Sequence, residues 1–321
     1  MRTEAQARHA WIVPIAAAAV LYALPAVLAP YSQDLVVKTA IYAVFALSLE
    51  LLVGVTGLVS LGHAAFLGIG AYVTVLASGD AGGSVVGVAA LAVGAAAAYA
   101  VFVGALSLRT RGVYFIMVTL AFAQMAYFVF HDTKLAGGSD GLFLYVKPSS
   151  GPLNLDDKRH LYYAVITTLV ATYALLAVLM RSRFGHALAG IRVNEQRMRT
   201  AGFATFGYKL AAFVIAGALA GLAGFLLAVK DGAVNPELLS WHESGAVLLM
   251  LILGGIGSLR GAVVGAIAFT LLKELLQLDT LLGPLAAHWQ LTLGFTIIGF
   301  VALLPQGLIG LRARFTRARH G

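Results

Sequence analysis

Six polar or ionisable side chains fall inside long apolar runs of this 321-residue chain: Glu50, Ser60, His63, Thr119, Gln124 and Glu274. Each is costly in hydrocarbon, which makes it a functional candidate by default. Their pattern is not that of an enzyme. No series of carboxylates lines successive runs, as a proton relay or coupling-ion path needs. The eight histidines are scattered, and no pair stands at ligand spacing beside a carboxylate. Without cysteine there are no thiolate metal sites, disulfides or cysteine nucleophile. No catalytic residue, metal or cofactor is therefore expected. Glu50, near the inner end of its run, reads as reaching the headgroups, and Glu274, next to Lys273, as lying near an interface. A lone histidine such as His63 serves as a structural hydrogen-bond partner more often than as a ligand.

Glycine supplies the second signal. Gly-interrupted segments in both halves of a transporter point to its central pathway. Here they are residues 57–70, with Ser60-Leu61-Gly62, and 254–265, with Gly257-Ser258-Leu259. The candidates for bordering a translocation route are therefore Ser60, Gly62, His63, Thr119, Gln124, Gly257 and Ser258. Gly217-x-x-x-Gly221, Gly257-x-x-x-Gly261 and Gly261-x-x-x-Gly265 are small-xxx-small patterns, which read first as close helix packing. None of these runs is a phosphate loop: G-x-x-x-x-G-K-[ST] is missing and the 254–261 run has no lysine. An ATPase driving transport would be a separate chain.

The elements that must position these residues are membrane helices. Hydrophobic residues make up 60 % of the chain and charged residues 11 %, against about 25 % charged in a soluble domain. About ten apolar segments are legible, roughly 11–29, 35–54, 57–78, 84–106, 112–130, 161–180, 210–229, 244–258, 261–278 and 289–309. The third and eighth contain several glycines and fit a broken or re-entrant path as well as a simple span. A bilayer core of ~30 Å calls for ~20 mostly apolar residues per helix. Arg2 and Arg8 precede an apolar stretch too long for a typical secretory signal core and not followed by an A-x-A site, so a retained first helix is expected. Fifteen Lys and Arg fall on one side of the resulting map and five on the other, while Lys38 and Lys273 lie within segments. The positive-inside rule then puts both termini in the cytoplasm. The net charge of +8 follows the same clustering and does not indicate nucleic acid. The fold class is an all-α polytopic bundle, a single transmembrane domain over 1–321.

Two loops carry information. The outer one, 131–160, is balanced in charge; Gly137–Gly141 forms turns, and Pro148 and Pro152 prevent a continuous helix. The inner one, 181–209, holds six basic residues and Glu195, yet its pattern is helical. Leu188, Ile191, Met198 and Ala201 recur on one helix face. Asn194 can cap a helix, Glu195 can pair with Arg199 at i,i+4, and Gly202 supplies a stop.

Several stretches together resemble LivM-type permeases of branched-chain amino acid ABC transporters. They include Gly57-Leu58-Val59-Ser60-Leu61-Gly62-His63-Ala64-Ala65-Phe66 with Gly68-Ile69-Gly70-Ala71-Tyr72, and Gly112-Val113-Tyr114-Phe115 with Thr119–Met125. Further matches are 137–142, with Ala136 where threonine is usual, 184–213, Leu253–Leu259, His288-Trp289-Gln290 and Leu304-Pro305-Gln306-Gly307-Leu308. The likeness runs over roughly residues 40–311. It implies a permease without a nucleotide site, in the bacterial inner membrane and in contact with lipid. Its partners would be a homologous second permease, two ABC ATPase subunits and a periplasmic solute-binding protein. It also implies that 181–209 is the cytoplasmic coupling loop, with Ala189, Arg192, Asn194, Glu195 and Gly202 in the ATPase-coupling region, and that 131–160 is periplasmic. Val193 departs from the family at a position that is often acidic, and Arg197-Met198-Arg199-Thr200 replaces a run commonly richer in Ala and Glu. Urea, short amides, aromatic acids or sugars are alternative cargoes, and a stand-alone secondary transporter is a further alternative.

Overall fold

The computed structural model describes residues 14, 16–26, 28–79, 82–151, 153–277, 288–304 and 307–310. Arg2, Arg8, Pro152, Pro305, Gln306 and the basic residues of 312–319 lie outside the described residues, as do parts of the expected 11–29, 261–278 and 289–309 segments. Residues 16–23 are helical. The helices that follow are α1 (Pro30–Glu50), α2 (Ala64–Ser78), α3 (Val85–Ser107), α4 (Val113–Asp132), α5 (Lys158–Arg181), α6 (Arg183–Val193), α7 (Glu195–Thr200), α8 (Thr205–Asp231), α9 (Trp241–Gly254), α10 (Leu259–Leu276) and α11 (Trp289–Leu303).

Local chemistry sets most of the boundaries. Pro30 opens α1, where its missing N–H costs nothing. Ser84 caps α3 by accepting the Gly87 N–H at 3.0 Å, Asp157 caps α5 from Arg159, and Ser258 caps α10 from Gly261. After Glu50, α1 widens into π-helical geometry over Leu51–Thr56, a feature often found at functional sites and one the hydropathy pattern does not announce.

Six helices among the described residues are long and apolar enough to cross a membrane, seven if α9 and α10 count as one bent span. The protein is an all-α multi-pass membrane protein. Of the two glycine-bearing segments, 57–78 is broken: residues 57–63 are not helical and α2 has only 15 residues, ~22 Å of helix against ~30 Å of hydrocarbon. The other, with its neighbour, forms a V, α9 and α10 meeting at a bend of 114°.

α1 and α8 are buried along most of their length, whereas α3, α4 and α5 are largely exposed. Exposed side chains such as Leu91, Phe102, Met117, Met125 and Phe128 are apolar, as a surface facing lipid or another helix requires. The small-residue pattern of α8 is a packing device. A β-carbon on Gly217 would press on Ala100, one on Gly221 would overlap Ala96, and one on Gly224 the Leu67 carbonyl. α8 thus lies backbone-close to α2 and α3. Gly261 and Gly265 similarly bring α10 against Gly255 and Met250. Gly257 departs from the packing expectation, because no atom lies near its would-be β-carbon.

Two sets of contacts mark the two ends of the bundle. At one, Lys230 pairs with Asp34 at 3.2 Å, and Ala233–Val234 forms a two-residue strand pair with Leu142–Phe143 of the 131–160 loop. Ser149 of that loop donates to Gly83, and Tyr31 donates to Glu274. At the other end lie the 181–209 loop, the π-helical end of α1 and the tip of the V, with Gly307 packed on Gly254 and Gly255.

Candidate functional site

The break after α1 needs partners for backbone groups that a continuous helix would satisfy by itself. The Ala64 N–H donates to Ser244 Oγ at 2.9 Å and the Gly62 N–H to Ser60 Oγ at 3.2 Å. Gly62 lies against α4, where a β-carbon would overlap the Thr119 carbonyl oxygen. Ser60, Gly62, His63 and Thr119 are thereby brought together, and all four are buried within this chain. Thr119 turns its hydroxyl to the Ile116 carbonyl of its own helix at 2.9 Å. Gln124 stands five residues further along α4, half-buried, and its Nε2 has no hydrogen bond among the described residues.

His63 is held on three sides. Its ring stacks on Phe45 at 5.4 Å and meets Phe66 edge-on at 5.5 Å. Nε2 lies 2.8 Å from Ser48 Oγ, and the Ser48 hydroxyl proton goes to the Phe45 carbonyl at 2.6 Å. A serine hydroxyl has one proton, so the bond between the two side chains is donated by the His63 Nε2–H.

Gly257 and Ser258 belong to a second cluster, at the tip of the V. Gly255 and Gly257 have φ of 109° and 97°, conformations open to glycine and strained for other residues. Glu50 reaches this tip and accepts the Gly257 N–H at 2.7 Å. The expectation that Glu50 extends to the headgroups is corrected: its side chain is fully buried and folds back over Gly54 instead. No local pattern reveals this, since the partner lies 207 positions away in sequence.

The 181–209 loop forms two helices that meet at Asn194, the cap expected from the sequence. α6 ends at Asn194, whose backbone is extended and whose side chain caps α7 by accepting the Arg197 N–H at 2.9 Å. Leu188 and Ile191 are buried, Met198 packs on Gly190, and Ala201, expected on the same face, is exposed. Glu195 makes the anticipated pair with Arg199 at 2.8 Å and a second with Lys209 at 3.0 Å, while Thr205 donates to the same oxygen at 3.1 Å. Partial burial pushes the Glu195 carboxyl up, but Lys209, Thr205 and Arg199 together outweigh it and hold the group below its ordinary value. Gly202 follows α7 with φ of 87°. Ala189, Asn194 and Gly202 are exposed, and so is Val193, at 86 %. Arg192 is exposed too, and it also makes contact with α1: its guanidinium donates to the Gly54 carbonyl and its stem lies beside Gly57. That carbonyl is among the last of its helix and has a cation at the negative end of the helix dipole.

Comparison with known proteins agrees with this architecture. Residues 32–301 match the family model described as the permease component of the branched-chain amino acid transport system. The chain is 29 % identical to the high-affinity branched-chain amino acid transport system permease protein LivM of Salmonella typhimurium, over 87 % of this chain and 70 % of that one. It is 28 % identical to LivM of Escherichia coli K12, over 90 % and 72 %. LivH of the same strain is 27 % identical over 45 % of this chain and 46 % of its own. No solved structure matches. With the match extending over most of the chain, from α1 into α11, the protein belongs to the family of permease components of branched-chain amino acid transport systems.

Proposed function

We propose that this chain is the membrane permease subunit of an ABC importer in the bacterial inner membrane, and that its cargo is branched-chain amino acids. The observation that carries the reading is the family match from 32 to 301, which spans the glycine break, the 181–209 loop and the tip of the V in one stretch. In this reading a periplasmic binding protein delivers the solute, a homologous second permease completes the route, and two ATPase subunits dock at 181–209. The exposed side of that loop, with Ala189, Val193, Asn194 and Gly202, is the docking face, and Glu195 braces it from within. Ser60, Gly62, His63, Thr119 and Gln124, with Gly257 and Ser258 at the tip, border the route.

The chain crosses the membrane ten times, both termini lying with the 181–209 loop in the cytoplasm. The positive-inside bias supports this, as do the two sets of end contacts. On that path 57–63 and α2 together make one crossing, and α9 and α10 descend to the cytoplasmic end and return.

A sugar cargo is the second reading, favoured by 30 % identity over 117 residues to the xylose permease XylH of Escherichia coli K12, which covers 35 % of this chain. Affinity purification of the tagged chain, followed by uptake of labelled leucine or xylose into proteoliposomes with the cognate binding protein, decides between them. Co-purified ATPase and ATP-dependent leucine uptake are expected. Uptake by the lone chain would sink the ABC reading, and xylose uptake without leucine uptake would sink the cargo.

A further inference from the structure

A carboxyl group buried in a membrane bundle costs several kcal/mol and adds nothing to helix packing that an apolar side chain would not. Glu50 is such a group, and its surroundings give it a specific task. On one side is the last turn of α6, where Arg192 donates to the Gly54 carbonyl. On the other is the tip of the V, where the Gly257 N–H donates to Glu50 Oε1 at 2.7 Å. Glu50 and Gly54 are one turn apart, and a β-carbon at Gly54 would occupy the space of the Glu50 carboxyl. Glycine at 54 therefore lets the carboxyl lie between the two elements, packed on the same residue whose carbonyl Arg192 holds. The carboxyl also stands at the start of α10, where the helix dipole favours a negative group. α6 packs on the bundle through Leu188 and Ile191, and the tip turns on Gly255 and Gly257.

We propose that Arg192, Gly54 and Glu50 form a relay that carries displacement of α6 to the glycine tip at 255–258, with Glu50 as the positioning residue that sets the tip. The proposal rests on the reading of 181–209 as the ATPase-coupling loop. A push on α6 moves the guanidinium and the Gly54 backbone that it holds, the Glu50 carboxyl packed on Gly54 moves with it, and the Gly257 N–H follows the carboxyl. The tip borders the proposed route and packs against Gly307, so its movement changes the cytoplasmic mouth of the permease.

The chain has no cysteine of its own, so single labels can be placed at Ile256→Cys on the exposed tip and at Gln196→Cys on exposed α7. The whole complex, with its ATPases and second permease, is examined in nanodiscs by spin-label mobility, with and without ATP and vanadate. Both labels are expected to respond in the otherwise wild-type chain. In Glu50→Ala, which leaves the Gly257 N–H without its acceptor, the Gln196 label still responds and the Ile256 response is lost. Transport per ATP hydrolysed falls about tenfold, within the usual range of coupling energies. Arg192→Gln has the same effect, and the double variant is no worse than either single one. Where Glu50→Ala does not assemble, Arg192→Gln carries the same comparison. A silent Gln196 label in the wild-type background overturns the coupling-loop reading and the relay with it. A responsive Gln196 label, with an Ile256 response untouched by either substitution or with effects that multiply in the double variant, overturns the relay alone.

Discussion

Gly62 meets Thr119 backbone to backbone: the space a β-carbon would fill at 62 is taken by the Thr119 carbonyl oxygen. The glycine break thus leans on α4 through main chain that cannot swing aside as a side chain would. The same contact holds 57–63, with its Ser60 and His63, beside Thr119, where the polar groups of this half are gathered.

Gly62→Ala should therefore be costly although alanine is small. The expected loss is about 1–3 kcal/mol, the range for overpacking a filled site, measured as a lowered unfolding temperature of the purified complex. Gly62→Leu should prevent assembly. A Gly62→Leu complex that assembles and transports at the wild-type rate would show that the contact with α4 does not hold the break.

His63 is held by its ring faces and by one donated hydrogen bond. His63→Gln keeps a donor for Ser48 and should leave transport near the wild-type rate. His63→Ala removes the ring between Phe45 and Phe66, and about 2–4 kcal/mol should be lost to the cavity. Transport abolished by glutamine in a fully assembled complex would assign the imidazole a direct part in translocation.

Glu195 ties α7 to α8 through Lys209, and its carboxyl is held below the ordinary value. A depressed folded value means that the contribution is complete above the unfolded value of roughly 4.3 and is lost as pH falls through the lower folded one. Amide exchange over 195–202 should therefore be slow at neutral pH and accelerate below about pH 4. Glu195→Gln should show fast exchange already at neutral pH, with about 1–2 kcal/mol of local protection lost. Protection unaffected by the substitution would show that the ion pairs do not hold the loop.

Gly202 follows α7 at positive φ, in open space. Gly202→Val meets no clash, so its cost is backbone strain of about 1–2 kcal/mol. The permease should remain in the membrane while ATPase association weakens. Normal pull-down of the ATPases and normal transport would remove Gly202 from the coupling region.

Topology can be tested at exposed sites. Thr205 is buried and bonded to Glu195, which makes Ala201→Cys the better probe of the 181–209 loop, with Ser149→Cys for the 131–160 loop. An impermeant thiol reagent added to intact cells should label 149 and spare 201. The reverse pattern would invert the map.

What the sequence determined by itself is local chemistry and solvent. The helix segments were legible because hydrocarbon demands long apolar runs. The Asn194 cap, the Glu195–Arg199 pair and the positive φ of Gly202 were legible because each depends on neighbours within a turn or two. The family was legible because its motifs recur in order along the chain. Tertiary structure decided the rest. It brought the Arg192 guanidinium to the Gly54 carbonyl, 138 positions away, and buried Glu50 against Gly257. It also showed Gly257 to be a turn residue and not a packing contact. The physical reason is that a buried charge or a bare glycine is satisfied by whatever the fold brings beside it, and hydropathy and spacing contain no information about a partner so distant in the chain.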